Sequence, residues 1–161
     1  MELLVVADVD PLKATAVAAT VSGPGATSGR ASFETAARSG RASFAPGGMR
    51  CEAVGLDASD ADAIVEVAKR FGVDAIVNAC DPRFNPPIFE ATFQVGVTYL
   101  DMAMNLSKPH PEKPYELIGE TLGVAQDAMH EQWRAKGQLA LVGMGVEPGL
   151  SDVFEIGRAH V

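Results

Sequence analysis

Polar residues follow four short apolar segments of this sequence, in places where a side chain could contact a ligand. With their small neighbours, these residues are Asp8, Asp57 and Ala58, Asn78 and Ala79, and Asp101. If the segments are parallel strands, their carboxyl ends share one edge of a sheet, where open α/β sheets bind ligands. The pattern therefore predicts a ligand site. A β-α-β unit with ordinary polar loops explains residues 73–101 equally well.

The acids that follow the first two segments allow two interpretations each. An acid at a strand tip, directly before a helix, is where a dinucleotide-binding fold holds the adenosine ribose hydroxyls. The alternative for Asp8 and Asp10 is a helix cap and first-turn charge. Capping is favoured for Asp10, which precedes Pro11, and the ribose is favoured for Asp8. Asp57 fits either a place beside an adenine or plain turn chemistry.

Two glycines, Gly143 and Gly145, follow a further apolar segment and would permit close backbone approach to a ligand. The alternative is a tight turn that needs glycine only for its dihedral angles. The histidines and the two cysteines, Cys51 and Cys80, lack metal-type spacing, so no metal site is predicted and both thiols are expected to be reduced and buried. No pair of residues makes a convincing proton donor and acceptor, so the catalytic residues stay unassigned.

Apolar periodicity predicts an α/β fold with an open, mainly parallel sheet. The predicted strands lie near residues 3–7, 50–56, 74–79, 97–100 and 139–142, and the predicted helices near 11–20, 60–71, 86–95 and 112–135. The strand around Ala75–Val77 is expected to be buried on both faces. Ser59 is expected to cap the second helix, and Pro148 to start a last one. Trp133 is expected in the core.

Residues 21–48 differ from the rest of the chain because they are rich in Gly, Ser, Ala and Arg and lack apolar periodicity. The hexapeptide Ser-Gly-Arg-Ala-Ser-Phe occurs there twice, ending at Phe33 and at Phe44. Such composition is typical of a long, flexible connection. We expect little regular structure in it and few buried side chains.

Composition excludes several classes of function. The chain has 161 residues and a formal net charge of -8, which disfavours binding to a nucleic-acid backbone. No apolar run approaches the roughly 20 residues of a membrane helix. The N-terminus, Met1-Glu2 followed by a strand, has no basic region typical of a signal peptide. A cytoplasmic protein without nucleic-acid or membrane partners is predicted.

Taken together, Asp8 after the first strand, the segments 77–80 and 96–101, and above all Gly-Met-Gly-Val-Glu-Pro-Gly-Leu-Ser at 143–151 resemble the NAD(P)-binding domain of the saccharopine dehydrogenase family. The likeness covers residues 3–154 and is weakest across the Gly/Ser/Arg-rich stretch. It implies an incomplete, doubly wound Rossmann-like domain over residues 1–154.

The resemblance implies an oxidoreductase that passes a hydride between NAD or NADP and a secondary amine or imine of an amino acid. Related members make carboxylated polyamines or homospermidine. Asp8 would bind the ribose diol, and since an acid there repels a 2′-phosphate, NAD is favoured over NADP. Further implied cofactor contacts are Asp57 and Ala58 beside the adenine, and Asn78 and Ala79 beside the pyrophosphate or nicotinamide ribose. Asp101 and Gly145 would lie on the substrate side. A homo-oligomeric full-length parent is compatible with the resemblance.

The sequence also departs from the family pattern. It contains no Gly-x-Gly-x-x-Gly turn, and its first strand carries the acid that belongs to the family's second strand. These departures predict a fragment of a dehydrogenase, with residues 155–161 as a non-native tail. The fragment either pairs residues 3–7 with 75–79 or leaves the strands near 3–7 and 50–56 loosely attached. The isolated chain is expected to be poorly stable, inactive and without measurable affinity for either cofactor. The alternative function is a non-catalytic nucleotide-binding or scaffold module.

Overall fold

A computed structural model describes residues 3–22, 50–146 and 149–158. The chain divides into two compact units, Met1–Asp57 and Ala58–Val161, here called unit 1 and unit 2. In the described part the strands form two sheets, one in each unit, and every strand pair is parallel. The predicted α/β fold with a parallel, incomplete Rossmann-like sheet is therefore confirmed.

Unit 1 contains strand β1 (Leu3–Asp8), helix α1 (Pro11–Ser22) and strand β2 (Arg50–Gly55). β1 and β2 run parallel and in register from Leu3 opposite Arg50 to Asp8 opposite Gly55. The buried residues of α1 are Ala14 and Ala18, whose small side chains let the helix approach the strands closely. The Asp10 side chain accepts the Leu12 backbone N–H at 2.9 Å, which confirms Asp10 as the cap of α1.

Unit 2 begins with helix α2 (Ala61–Phe71), strand β3 (Ala75–Asn78), a short 3-10 helix (Pro82–Phe84), helix α3 (Asn85–Val95) and strand β4 (Thr98–Asp101). It continues with helices α4 (Val124–Asp127) and α5 (His130–Ala135), strand β5 (Ala140–Leu141) and helix α6 (Leu150–Arg158). The strands are ordered β3-β4-β5. The sheet, α2 and α3 follow the sequence pattern within two residues.

The core of unit 2 is aromatic. Phe89 of α3 lies between Tyr99 of β4 and Trp133 of α5, with ring centroids 4.9 Å and 5.0 Å away. The edge-to-face contact of Phe89 with Tyr99 is a favoured aromatic geometry. Tyr99 is fully buried and Trp133 is 4% exposed, which confirms the core position predicted for Trp133.

The helix predicted over residues 112–135 is wrong. Residues 102–123 are irregular, and helix is present only in the short α4 and α5. Tyr115 and Ile118, which supplied the first half of the apolar stripe, are 100% and 86% exposed.

Local contacts explain why the apolar spacing fails there. Lys108 and Glu120 exchange two backbone hydrogen bonds of 2.8 Å, which pair these segments in an antiparallel bridge. Gly119 lies so close to the Lys108 carbonyl that a side chain would overlap it. Gly123 has a φ of 73°, which interrupts a right-handed helix immediately before α4.

The predicted burial of β3 on both faces is also wrong. Exposure alternates along the strand: Asn78 is buried, whereas Ala75 is exposed and Val77 is 62% exposed. β3 is an edge strand of the unit 2 sheet, and its face with Ala75 and Val77 is open to solvent. Cys51 is buried as expected, but Cys80, just after this edge strand, is exposed.

The cap of α2 is Asp60 and not Ser59. The Asp60 carboxylate accepts the Ala63 backbone N–H at 3.0 Å, so the cap lies one residue after the predicted position. The helices predicted over residues 60–71 and 86–95 end where expected, and the residues that follow them, Gly72 and Gly96, close α2 and α3 with φ of 60° and 90°.

Two predicted segments fall partly outside the described residues. α1 extends through Ser22, into the start of the predicted flexible connection, and residues 23–49, including Phe33 and Phe44, lie outside the described ranges. The predicted non-native tail begins within α6, and its origin stays a prediction. Residues 3–7 pair with β2 and residues 75–78 pair with β4. No helix in the described ranges is long and apolar enough to cross a membrane.

Candidate functional site

Unit 1 brings Asp8 and Asp57 to the same edge of its sheet. The Asp8 carbonyl accepts the Leu56 backbone N–H at 3.0 Å, which carries the pairing of β1 and β2 to the residue before Asp57. One carboxylate oxygen of Asp8 accepts the Asp10 backbone N–H at 2.8 Å. This bond shapes the turn into α1 and holds the carboxylate at the carboxyl end of β1. Asp8 is half-buried and Asp57 is exposed.

The other predicted cofactor residues lie in unit 2. Ala58 is half-buried, and Ala79 is exposed directly after β3. Neither side chain has a polar atom, so any ligand contact would use their backbone. Asn78 differs, because it is 3% exposed and its side chain is committed to protein partners.

Asn78 belongs to a buried hydrogen-bond network at the carboxyl edge of unit 2. Its amide nitrogen donates to the Asn85 side chain at 2.8 Å and to the Tyr99 hydroxyl at 3.3 Å. Its amide oxygen accepts the Cys80 backbone N–H at 3.0 Å, and Asn85 donates onward to the Ala103 carbonyl. Asn78 thereby ties the start of α3 and the segment after β4 to the end of β3.

Asp101 is the centre of this network. It is fully buried, and its carboxylate accepts three hydrogen bonds. The Gly143 backbone N–H donates to one oxygen at 2.7 Å, while the Tyr99 hydroxyl and the Gln126 side-chain amide donate to the other at 2.9 Å and 2.6 Å. The Asp101 carbonyl also accepts the Met144 backbone N–H at 2.9 Å. Hydrogen bonds to a charged acceptor are the strong ones, so a buried carboxylate is tolerated here.

Gln126 extends the network to the irregular segment before α4. Its side-chain oxygen accepts the Asn105 backbone N–H at 2.9 Å, while the Asn105 carbonyl accepts the Gly123 N–H at 3.0 Å. Gln126 is 4% exposed, so both ends of its amide are used inside the protein.

Burial raises the pKa of the Tyr99 phenol far above its ordinary range. The negative charge of Asp101 adds to this shift, and the hydrogen bond from Asn78 opposes it. The phenol therefore stays protonated and keeps donating to Asp101 throughout the physiological pH range.

The glycine turn, here residues 143–146 and 149, follows β5 and is constrained by its backbone. Gly143 and Gly149 have φ of 68° and 131°, values that favour glycine. Gly145 approaches the Met102 carbonyl so closely that any Cβ would overlap it. The Gly145 carbonyl then accepts the Leu150 N–H at 2.9 Å, where α6 begins. Residues 147 and 148 lie outside the described ranges.

Comparison with known proteins identifies the family of this chain. Residues 3–141 match the saccharopine dehydrogenase NADP binding domain family. The chain belongs to this family. The resemblance predicted from the sequence is confirmed, and so is the class of cofactor, a nicotinamide dinucleotide.

The curated relatives of this family member include two enzymes named for polyamine-related compounds. The chain is 30% identical over 107 residues to carboxynorspermidine synthase of Vibrio alginolyticus, covering 65% of this chain and 24% of that protein. It is 30% identical over 108 residues to carboxyaminopropylagmatine dehydrogenase of Synechocystis, covering 67% and 25%. The Vibrio cholerae carboxynorspermidine synthase is 28% identical over 107 residues, covering 65% and 24%. The chain thus spans about a quarter of the length of these relatives.

Sequence reasoning missed three buried members of the network in this family domain: Tyr99, Asn85 and Gln126. One signal was available for Tyr99, because residues two apart in a strand share a face. Tyr99 therefore lies on the same face as Asp101. Asn85 and Gln126 carried no such signal, since their roles depend on contacts with residues 18 and 25 positions away.

A cavity of about 510 Å³ lies at the opposite edge of the unit 2 sheet. Its lining includes Asp74, Thr98 and Leu139, which precede or begin β3, β4 and β5. In an open α/β sheet ligands bind at the carboxyl ends of strands, so this cavity is not the predicted site.

Proposed function

We propose that this chain is part of a nicotinamide-dependent oxidoreductase whose substrate is a secondary amine or imine derived from an amino acid, in the class of carboxylated polyamines. The observation that carries the proposal is the position of Asp8 in a chain of this family, at the carboxyl end of β1 and directly before α1. The names of the relatives support the substrate class.

The reaction needs a hydride and a proton. The nicotinamide cofactor, held through its adenosine ribose by Asp8, would supply the hydride to the imine carbon, and the imine nitrogen would take up a proton to give the secondary amine. The reverse direction oxidises the amine. No proton donor is assigned among the described residues, because Asp101 and Tyr99 are fully buried and bonded to each other.

The cofactor preference is proposed to be NAD. The Asp8 carboxylate is fixed by Asp10 through one oxygen only, which leaves the second oxygen outside that bond for a ribose hydroxyl. A 2′-phosphate beside it would meet like charge. Asp57, exposed at the same edge, adds a second negative charge.

The isolated chain is expected to bind the whole cofactor too weakly for calorimetry. Its 161 residues contain no Gly-x-Gly-x-x-Gly turn, whose backbone N–H groups hold the pyrophosphate in a Rossmann domain. Each half of the cofactor is therefore tested by itself, and the adenosine half is tested first.

Titration of the labelled chain with AMP, followed by backbone amide NMR shifts, tests this half-site. We expect shifts confined to residues 8–10 and 55–58, with millimolar affinity, and weaker shifts with the 2′-phosphorylated analogue. Asp8→Ser should abolish the discrimination. Glu52→Gln is the matched control, because Glu52 lies in the same unit and forms an ion pair of 3.6 Å with Arg50, the first residue of β2, away from the carboxyl ends of the strands. Shifts scattered over both units, or none, would contradict the half-site.

The activity itself is tested on the entire gene product by steady-state kinetics with NADH and NADPH and a carboxylated polyamine imine. Turnover with a preference for NADH is expected. A clear preference for NADPH would refute the role of Asp8, and no turnover with any imine would refute the substrate class.

A non-catalytic nucleotide-binding or scaffold module is the second candidate. One observation favours it: Asn78 and Asp101, both predicted to face ligands, are 3% and 0% exposed and bonded inside the protein. An AMP response at Asp8 without turnover of the gene product would select this candidate.

A further inference from the structure

In the buried network at the end of β4, all hydrogen bonds to the Asp101 side chain are donated by its neighbours, and the family match does not explain this arrangement. We infer that Asp101, with Tyr99 and Gln126, positions the glycine turn at the carboxyl edge of unit 2. Asp101 holds the turn through hydrogen bonds and does not touch the substrate. Here the turn is taken as part of the nicotinamide and substrate side, so this inference rests on the proposed function.

The first step concerns whether a ligand can reach the Asp101 carboxylate. Its carboxylate accepts hydrogen bonds on both oxygens, two of them on the oxygen that faces Tyr99 and Gln126. The residue is 0% exposed, so no face of the carboxylate is open to a ligand. A role in orienting other groups is the one that this geometry permits.

The second step is the dependence of the turn on Asp101. Two consecutive N–H groups, those of Gly143 and Met144, donate to the Asp101 side chain and carbonyl. Gly145 then lies against the Met102 backbone with no space for a side chain. The turn is therefore placed by the end of β4 at three successive residues, immediately after β5 has ended.

The third step is the orientation of Asp101 itself. Tyr99 donates to the carboxylate from the same face of β4. Gln126 donates its amide N–H to the carboxylate and accepts the Asn105 N–H with its oxygen, so a reversed amide would place oxygen against carboxylate. The amide and the carboxylate thus have one compatible arrangement.

That single arrangement allows an exchange experiment. Asp101→Asn replaces one carboxylate oxygen by an NH₂, which faces a donor in either orientation of the amide: the Gly143 N–H on one side or the Gln126 NH₂ on the other. Gln126→Glu places two carboxylates together. The double variant Asp101→Asn/Gln126→Glu restores a donor opposite an acceptor and keeps the acceptor for Asn105. Its recovery is incomplete, because the Tyr99 hydroxyl then lacks an acceptor.

Amide hydrogen exchange is the first measurement. Each single variant should speed exchange of the Gly143 and Met144 amides by about ten- to a hundredfold, since an unpaired buried polar group releases the local structure. The double variant should recover most of that protection. Asp127→Asn is the matched control, because it makes the same change at the next, exposed residue of α4. Trp133 fluorescence confirms that each variant is folded.

Binding of nicotinamide mononucleotide is the second measurement, and a purely structural role would not produce its pattern. In the wild-type chain it should shift the amides of residues 143–146. In both single variants its affinity should fall about tenfold and return in the double variant, while the AMP response at Asp8 stays unchanged.

The outcomes separate the two proposals. Unchanged exchange at Gly143 and Met144 in Asp101→Asn overturns the inference. The inference is also overturned if nicotinamide mononucleotide does not shift the amides of the glycine turn in the wild-type chain. This holds even when AMP still shifts Asp8 and the proposed adenosine site stands. Loss of the AMP response alone counts against the proposed function and leaves the positioning role supported by exchange and by nicotinamide mononucleotide.

Discussion

Tyr99→Phe removes one hydroxyl from the centre of the buried network and nothing else. The phenol donates to Asp101 at 2.9 Å and accepts from Asn78 at 3.3 Å. After the change Asp101 keeps its bonds from Gly143 and Gln126, and Asn78 keeps its bond to Asn85. Every polar group keeps at least one partner, while one N–H of the Asn78 amide loses its acceptor.

The expected destabilisation at neutral pH follows from that count. A hydrogen bond to a charged group contributes about 1.5–3 kcal/mol, and the upper part of this range applies when a buried group is orphaned. Since each of these groups keeps at least one partner, we expect the free energy of unfolding to fall by about 1.5 kcal/mol.

The difference in free energy of unfolding between the wild type and Tyr99→Phe should vanish at high pH. The pKa of Tyr99 is raised in the folded protein, so its neutral form contributes stability that is fully present below the unfolded pKa of about 10 and is lost as pH rises above it. Each pH unit above that value costs the wild type about 1.4 kcal/mol, a cost that phenylalanine does not incur. The two proteins should therefore be equally stable near about pH 11.

Urea unfolding followed by fluorescence of Trp133, the single tryptophan, measures this in the same unit as Tyr99. Tyr115→Phe is the control, because Tyr115 is fully exposed and should leave stability unchanged at every pH. A stability difference between wild type and Tyr99→Phe that stays constant from neutral to alkaline pH would refute the reasoning.

Three further measurements test the described geometry. Gly145→Ala should destabilise unit 2 by about 3 kcal/mol in urea unfolding, because the new Cβ overlaps the Met102 carbonyl. Gly72→Ala should cost only about 1 kcal/mol, because Gly72 has a φ of 60° but open space around it. Equal costs would contradict the steric argument. Asp60→Ala should cost about 1 kcal/mol through the lost cap of α2, and an unchanged urea midpoint would remove Asp60 from that role. His110 accepts two backbone N–H groups on Nδ1, so nitrogen NMR should show the Nε2–H tautomer, and the opposite tautomer would contradict the described loop.

The elements that the sequence predicted well share a local signal. Gly72 and Gly96 mark helix ends because an αL residue after a helix is readily occupied by glycine, and both have the required positive φ. Asp10 was recognisable as a cap because its partner lies two residues away. The strand positions followed from short apolar runs ending in polar residues.

The elements that failed depend on partners far along the chain. The spacing of Tyr115 and Ile118 is helical, but the bridge between Lys108 and Glu120 and the positive φ of Gly123 exclude a helix there. The burial of Val77 depends on whether a second layer covers its face of the edge strand. Periodicity cannot report either condition.

In the candidate site, too, some features have a local sequence signal and others depend on residues far along the chain. The glycines of the turn were the most specific basis for the family resemblance, yet each has a backbone reason to be glycine: φ at Gly143 and Gly149, and close packing at Gly145. Their residue type alone therefore does not distinguish a ligand-binding turn from a structural one. What distinguishes them is where the turn is held, and that position depends on the buried carboxylate of Asp101. The single changes Asp101→Asn and Gln126→Glu perturb that position, and the double variant restores it, while every glycine is kept. This pattern separates the two interpretations.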